Sequence, residues 1–532
     1  MKQSSQGEEK KSFQKDLVKI FGAANVSVNH LDRTAYARDL WPRLQIWING
    51  GRIPSPPDCI VWAEEENQIS KLLRLAARKG FPVIPYGAGS GVCGGTLTVE
   101  GGVILDMKRM RRVVSVDDSS LTVDVETGII GQDLEEALNA KGYTLGHFPS
   151  SIYCSTLGGY LVTRSAGQLS SRYGKIEDMV LGLRVILTSG RVLTIRPVPG
   201  SAPGPRFVQG FVGSEGTLGV ITRAALRIRP LPESISLRGH LFSSVEEGLT
   251  AMRRIMQSGI RPSVLRLYDE LDTLLVGTGQ GDGLLKKMGG GKKGGGRKGF
   301  VSQALKRIER TVFSHPEVVA KILELLPGKC LLIFGFEGVR KLVDAEMGHA
   351  LKLCSSAGGK DLGEGPGKYW LEHRYSVSYK QSKIFEGGGF VDTIEVATVW
   401  SKVERLYTEM RRAVSRHAFI MAHFSHAYPE GCCIYFSFVA NAATTDEADR
   451  LYRNIWQDAL DACLLVGATV CHHHGVGYSK VPWMIRENRE TWPVFQALKS
   501  ALDPGGIMNP GKMEVEGPRK DISSIRIDSV EG

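Results

Sequence analysis

The chain has 532 residues, 42% of them hydrophobic and 23% charged, with 63 glycines, 9 cysteines and a formal net charge of +11. That length suits two or three domains with cores of their own, and the apolar fraction excludes wholesale disorder, collagen-like and coiled-coil architectures. No apolar run approaches the roughly 18–20 residues of a spanning helix, MKQSSQGEEKKSFQKD has no signal-peptide core, and scattered cysteines without a CxxC pair indicate reduced thiols rather than a disulfide frame or a zinc site.

Phe13, Leu17, Ile20 and Phe21 recur at helical spacing and predict an amphipathic helix over 12–21. A strand at Cys59–Ala63, a helix carrying Ile69, Leu72, Leu73 and Ala76 and ended by Gly80, and a strand at Phe81–Pro85 form a βαβ pattern. Short strands follow at Val103–Asp106, Arg112–Val116 and Leu121–Val125, then a helix at Gln132–Lys141. Strands at Leu181–Leu187 and Arg191–Ile195 flank the turn Thr188-Ser189-Gly190, and Gly219–Arg229 is closed by Pro230 and Pro232. The second half mixes long helices with strands such as Leu331–Phe336 and Cys433–Val439. Residues 284–299, LLKKMGGGKKGGGRKG, hold six Lys/Arg, seven Gly and no acid. They read as a flexible basic insertion, so the positive charge is concentrated there rather than spread as a nucleic-acid footprint.

Three glycine- and hydroxyl-rich segments fall in the first half. The first is Pro85-Tyr86-Gly87-Ala88-Gly89-Ser90-Gly91 after a strand. The second runs from Ser150-Ser151-Ile152-Tyr153-Cys154-Ser155-Thr156 to Thr163-Arg164-Ser165-Ala166. The third is Glu215-Gly216-Thr217-Leu218-Gly219-Val220-Ile221. Glycine lets the backbone approach a ligand and aim successive N–H groups at an anion. The first loop lacks the GK[ST] of a Walker loop and the helix-opening third glycine of a dinucleotide fingerprint. Three donor-rich segments in one domain suit a long phosphate-bearing cofactor.

In this order the three motifs, with Asp503-Pro504-Gly505-Gly506-Ile507-Met508-Asn509-Pro510-Gly511-Lys512 near the C-terminus, resemble the vanillyl-alcohol oxidase (PCMH-type) flavoprotein family. The resemblance implies an α+β fold. A two-subdomain FAD-binding domain spans 55–233 behind a helical segment 1–54. An α+β substrate (cap) domain with an antiparallel sheet spans 234–470. A segment 471–512 returns to the flavin, and 513–532 is a tail. It implies FAD with its pyrophosphate on the Gly87–Gly91 loop and its isoalloxazine and ribityl contacts in the second and third segments. FAD is expected to be non-covalent, because His147 and Cys154 read as ordinary residues.

Cys471-His472-His473-His474-Gly475-Val476-Gly477 is the most unusual local feature. Taken bare it is a metal tract, a solvated loop or a set of anion-binding proton shuttles, and no converging ligand pattern supports the metal, so none is expected. Within the family, HHHGVG is similar to the alkylglycerone-phosphate synthase branch. Gly431-Cys432-Cys433-Ile434-Tyr435-Phe436 resembles the segment around that branch's catalytic tyrosine, and Val264-Leu265-Arg266-Leu267-Tyr268-Asp269 carries its functional arginine. Taken bare, Tyr435 is a core tyrosine and Arg266 a surface ion-pair partner. The resemblance implies catalytic roles for Tyr435, Arg266 and His473, and substrate binding by His472, His474, Arg374, Lys380 and Gln381. Gln381 is a departure: an ungapped match puts an arginine there, and glutamine lacks its charge and bidentate fork.

The implied reaction exchanges the acyl group of acyl-dihydroxyacetone phosphate for a fatty alcohol, without net redox change. Tyr435 takes the C1 proton, and a site that lowers its pKa is expected. The runner-up is an FAD-linked oxidase or dehydrogenase of a hydroxy acid or alcohol. The expected partner is a small lipid substrate, with peripheral membrane contact, a homodimer and no nucleic acid. With no peroxisomal tripeptide at Val-Glu-Gly, the expected location is the bacterial cytoplasm.

Overall fold

Helix and strand signals along the chain translate into α+β architecture in a computed structural model that describes residues 2–54, 56–279, 329–375, 384–385, 388–513 and 527–529. The basic insertion 284–299 and the candidate residues Lys380 and Gln381 lie outside the described residues. The chain divides into two units, one of Met1–Gly167, Gly174–Pro230 and His473–Gly532, the other of Gln168–Tyr173 and Leu231–His472.

In the first unit, α1 (Lys2–Phe21) buries Phe13, Leu17 and Phe21, and Phe13 stacks on Phe81 at 4.1 Å. Strands β1 (Val26–Ser27), β2 (Cys59–Trp62), β3 (Val83–Tyr86) and β4 (Val103–Asp106) form a sheet in the order β1-β2-β4-β3. Its β2, β3 and β4 are parallel. The crossover from β2 to β3 is α2 (Glu66–Lys79), which starts on a Glu65/Gln68 capping box and stops at Gly80 with φ 68°. Its Ile69, Leu72, Leu73 and Ala76 are fully buried.

The second sheet of this unit is antiparallel. It holds β5 (Val113–Asp117), β6 (Thr122–Glu126), β7 (Val180–Ile186), β8 (Val192–Ile195) and β9 (Val220–Arg227), in the order β8-β7-β9-β6-β5. One element escapes the sequence pattern: Leu157–Thr163 is a helix, α3, despite its Gly158-Gly159 pair. Thr156 caps it by accepting from the Gly159 N–H, and Arg164 closes it in the left-handed region.

The second unit is built on a seven-stranded antiparallel sheet. Its strands are β10 (Ser234–Phe242), β11 (Val264–Tyr268), β12 (Cys330–Gly338), β13 (Lys360–Gly363), β14 (Gly389–Val399), β15 (Phe419–Ala427) and β16 (Gly431–Asn441). The order is β13-β10-β12-β11-β15-β16-β14. Because side chains alternate across a strand, Phe390, Phe424, Phe436 and Phe438 share one face. There Tyr407 of α4 (Trp400–Val414) and Tyr452 of α5 (Thr445–Val466) pack on them. The opposite face carries the polar residues described next.

Candidate cofactor cradle and catalytic residues

In the first unit, the loop after β3 is shaped by contacts that only glycine permits. A Cβ on Gly87 would lie 2.3 Å from Thr156 Oγ1, and one on Gly89, where φ is 65°, would lie 2.0 Å from Tyr86 Oη. The Gly87 carbonyl accepts from Lys108 Nζ at 2.9 Å. Asp39 lies 3.5 Å from where a Gly91 Cβ would sit, and burial pushes its carboxyl up to about 7. Pro85 packs against Gly216 of the third motif, 3.2 Å from the place of its Cβ.

The second motif is a turn followed by α3. Ile152 N–H donates to the Pro149 carbonyl and Cys154 N–H to that of Ser151. Ser155 Oγ lies 2.6 Å from the Ser151 carbonyl and 2.7 Å from Tyr160 Oη, while Tyr153 is half exposed. Thr163 Oγ1 donates back to the Gly159 carbonyl, and Arg164 donates twice to Gln209. The Ser155 and Thr156 hydroxyls therefore shape the turn, with Ser165 and Ala166 following it.

Glu215 has a structural task of its own. Its buried carboxylate accepts from Val476 N–H at 2.5 Å and Gly477 N–H at 2.7 Å, clamping the chain just past the histidine run. Burial raises its pKa, and those two N–H groups pull the other way. Asn509 Nδ2 donates to the carbonyls of Glu215 and Gly95, and Lys499 Nζ to those of Thr217 and Met508. Lys512 Nζ donates to the carbonyls of Leu97 and Pro510. The closing signature thus ties the stretch just past the first glycine segment to the third.

His473 and His474 meet edge to face at 4.6 Å in a bend rather than a strand. In the second unit, His472 shares a 2.8 Å hydrogen bond with Tyr428 Oη and stacks on His426 at 5.4 Å. His426 sits at a β-bulge with φ 49° and bonds Ser170 at 2.6 Å. Arg374 lies over the Tyr375 ring at 4.8 Å, and its carbonyl accepts from Gln168.

Cross-strand register places Glu395, Tyr435, His423 and Tyr268 side by side on the polar face of the second unit's sheet. Tyr435 and His423 stack at 4.8 Å with 20° between rings. Arg266, two residues along from Tyr268, donates from Nη2 to His423 Nε2 at 2.5 Å, and Asp272 faces His423 Nδ1 at 3.2 Å. Arg266 is therefore no surface ion-pair partner. Glu395 is fully buried, and its Oε1 accepts from the Cys471 thiol at 3.4 Å.

The expected lowering of the Tyr435 pKa is not what the geometry produces. Burial pushes the phenol up to about 12, with Glu395 and Asp392 adding to the rise, while a hydrogen bond with Thr393 and the charge of Arg266 only partly offset it. Burial holds His423 down to about 4, helped by Arg266, so its imidazole is neutral at pH 7.

Residues 57–196 match the family model described as FAD binding domain, and residues 231–513 that of the FAD linked oxidases, C-terminal domain. An alkyldihydroxyacetonephosphate synthase of Trypanosoma brucei brucei is 32% identical over 527 residues, covering 96% of this chain and 81% of that protein. The chain belongs to the alkyldihydroxyacetonephosphate synthase family. A solved alkyldihydroxyacetonephosphate synthase superposes with a TM-score of 0.73 at 28% identity, covering 94% of this chain and 84% of the other. The wider relationship reaches the glycolate oxidase subunit GlcD of Bacillus subtilis (strain 168), 24% identical over 522 residues, 97% of this chain and 99% of that one.

Membership of the alkyldihydroxyacetonephosphate synthase family makes this an FAD-dependent enzyme of PCMH-type fold. The cradle fits that cofactor. Its glycines let the loop pack directly against Thr156 and Tyr86, where a Cβ would collide, and both nitrogens of buried His147 have no hydrogen-bond partner among the described residues. A buried polar group in that condition is expected to meet one from the ligand. His147, close to the second motif, reads in sequence as an ordinary residue, and Asp39 and His423 belong to no motif. A lone histidine or aspartate carries no local signature, and their neighbours are supplied by distant strands and loops. Only the alternation in Phe419–Ala427, which puts His423 on the polar face, was available as a signal.

Proposed function

We propose that this enzyme exchanges the fatty acyl group of acyl-dihydroxyacetone phosphate for a fatty alcohol. The fatty acid leaves with its ester oxygen, the alcohol oxygen takes its place on C1, and substrate and product stay at one oxidation level. The observation that carries this reading is the convergence of Tyr435 and Arg266 on one imidazole, in a chain of this family.

The chemistry that bound FAD supplies is nucleophilic attack from N5 rather than hydride acceptance. Tyr435 takes the C1 proton and returns it, a role that requires its phenolate; Arg266 is the cation that favours the phenolate, against the burial that opposes it. His473, His474 and His472 orient the substrate phosphate, and Arg374 supplies a fixed cation over Tyr375. Lys380 and Gln381 belong to this substrate set by sequence only. FAD is held without a covalent link, so acid precipitation of the protein should release all of the flavin.

Lipid substrates place the enzyme at a membrane surface in this reading, although no described helix is long and apolar enough to cross a membrane. Co-sedimentation with anionic phospholipid vesicles tests that contact. The second reading, an FAD-linked dehydrogenase, is favoured by Gln381, which lacks the charge and bidentate fork that suit a phosphate. Anaerobic titration separates the two. The synthase turns over and leaves an added dye oxidised, whereas a dehydrogenase reduces the dye.

A further inference from the structure

The imidazole of His423 touches both side chains to which the proposed reaction assigns chemistry, yet no motif points to it. Its donor and acceptor atoms can be assigned from its partners. Arginine has only donors, so the atom facing Arg266 Nη2, His423 Nε2 at 2.5 Å, must accept. The neutral ring then carries its proton on Nδ1, and the Asp272 carboxylate at 3.2 Å is the acceptor that this proton needs. Asp272 is itself set by the turn that starts the helix Glu270–Gly279, where its N–H donates to Asp269 Oδ1 at 2.9 Å.

This relay leaves one part of the guanidinium unspent. Arg266 Nε is buried and has no hydrogen-bond partner among the described residues. A guanidinium held by one Nη and carrying an idle Nε–H is prepared for an oxygen acceptor. The other face of the guanidinium lies 5.3 Å from the Tyr268 ring, which limits its rotation.

We propose that His423 is the positioning residue of the catalytic face: Asp272 fixes its tautomer, its Nε2 fixes the Arg266 guanidinium so that Nε–H points to a substrate oxyanion, and its ring is the platform for Tyr435. The proposal rests on the reading of Arg266 as a site residue. Its hold on Arg266 requires a lone pair at Nε2, so an amide oxygen in that place should restore that part of the role.

The test compares His423→Gln, His423→Leu and Asp272→Asn with wild type, and repeats His423→Leu in an Arg266→Ala background, all on FAD-loaded enzyme. His423→Leu should lower kcat/KM for acyl-dihydroxyacetone phosphate about 100-fold with FAD content and thermal midpoint near wild type. His423→Gln, which keeps an acceptor, should recover at least tenfold of that loss. Asp272→Asn should approach His423→Leu, because an amide can donate to Nδ1 and so turn a second N–H towards Arg266. In the Arg266→Ala background, His423→Leu should cost little more. Equal losses for the Gln and Leu variants, or an undiminished Leu effect without Arg266, would overturn the positioning role. Near-full activity of Arg266→Ala alone would instead remove the reading beneath it, and the proposal with it. If His423→Leu fails to load FAD, the Gln variant against wild type decides, and a 100-fold loss there contradicts the proposal.

Discussion

Tyr435 shows how far a single residue can be read before its surroundings are known. In sequence it is one aromatic in an apolar strand, and only its family resemblance marks it. The register of three strands then places it between Glu395 and His423, in a setting that holds its proton tightly. Two expectations follow. Tyr435→Phe, which keeps the ring and its stacking, should cost about 10²–10⁴ in kcat, the usual worth of one acid–base group, while FAD content is unchanged. Because the phenol starts from about 12 in the resting site, kcat/KM of the wild type should climb between pH 7 and 9, and Tyr435→Phe should lose that climb. A pH-independent wild-type profile over that range contradicts a phenolate base. His147 offers a cleaner titration. Burial lowers its pKa to about 3, whereas in the unfolded chain it is near 6.5. As pH falls through that window the unfolded state binds a proton that the native state refuses. The wild type should therefore lose stability relative to His147→Gln, by about a factor of ten in the folding constant per pH unit. Urea melts of the two proteins from pH 6.5 to 4 check this, and a pH-independent difference would sink it.

At the scale of elements, the segments with strong local signals are where the periodicity puts them: the 59–63 strand, the capped helix 66–79 and the 181–195 hairpin all appear within a residue or two. The helix Leu157–Thr163 was not legible, because Gly158 and Gly159 argue against a helix and only the Thr156 cap and tertiary packing make it. Glu215, which the family resemblance marks only as a cofactor contact, also uses its carboxylate to hold the backbone past the histidines, a role with no local sequence signal. The glycine loops make a graded prediction. Gly87→Ala must displace Thr156 Oγ1, the cap of α3, and Gly477→Ala must move the Cys93 carbonyl, 2.1 Å from its Cβ, at a φ of 55°. Both should weaken FAD binding at least tenfold by fluorescence titration, Gly477→Ala more severely because a backbone atom has to yield. Gly80→Ala has no atom within 4 Å and should cost only about 1 kcal/mol of stability for its left-handed φ, with FAD affinity unchanged. Equal effects at all three glycines would contradict the cradle.

For the whole molecule, composition was informative mainly by exclusion. The net charge of +11 drew attention to a basic insertion rather than to the chemistry, and the cofactor emerged from three separated motifs acting together. The candidate catalytic face needed the sheet, since Arg266, His423 and Tyr435 are drawn from segments up to about 170 residues apart and meet through strand register, with Asp272 brought in by the helix Glu270–Gly279. In the function proposed above, an FAD-dependent fold related to oxidases performs an exchange without net oxidation. Its most direct test is anaerobic incubation of the FAD-loaded enzyme with acyl-dihydroxyacetone phosphate and labelled fatty alcohol, with no electron acceptor present. Repeated turnover is expected, with label entering an ether-linked product in step with release of free fatty acid. No labelled ether, together with reduction of an added dye by a hydroxy acid or alcohol, would contradict it.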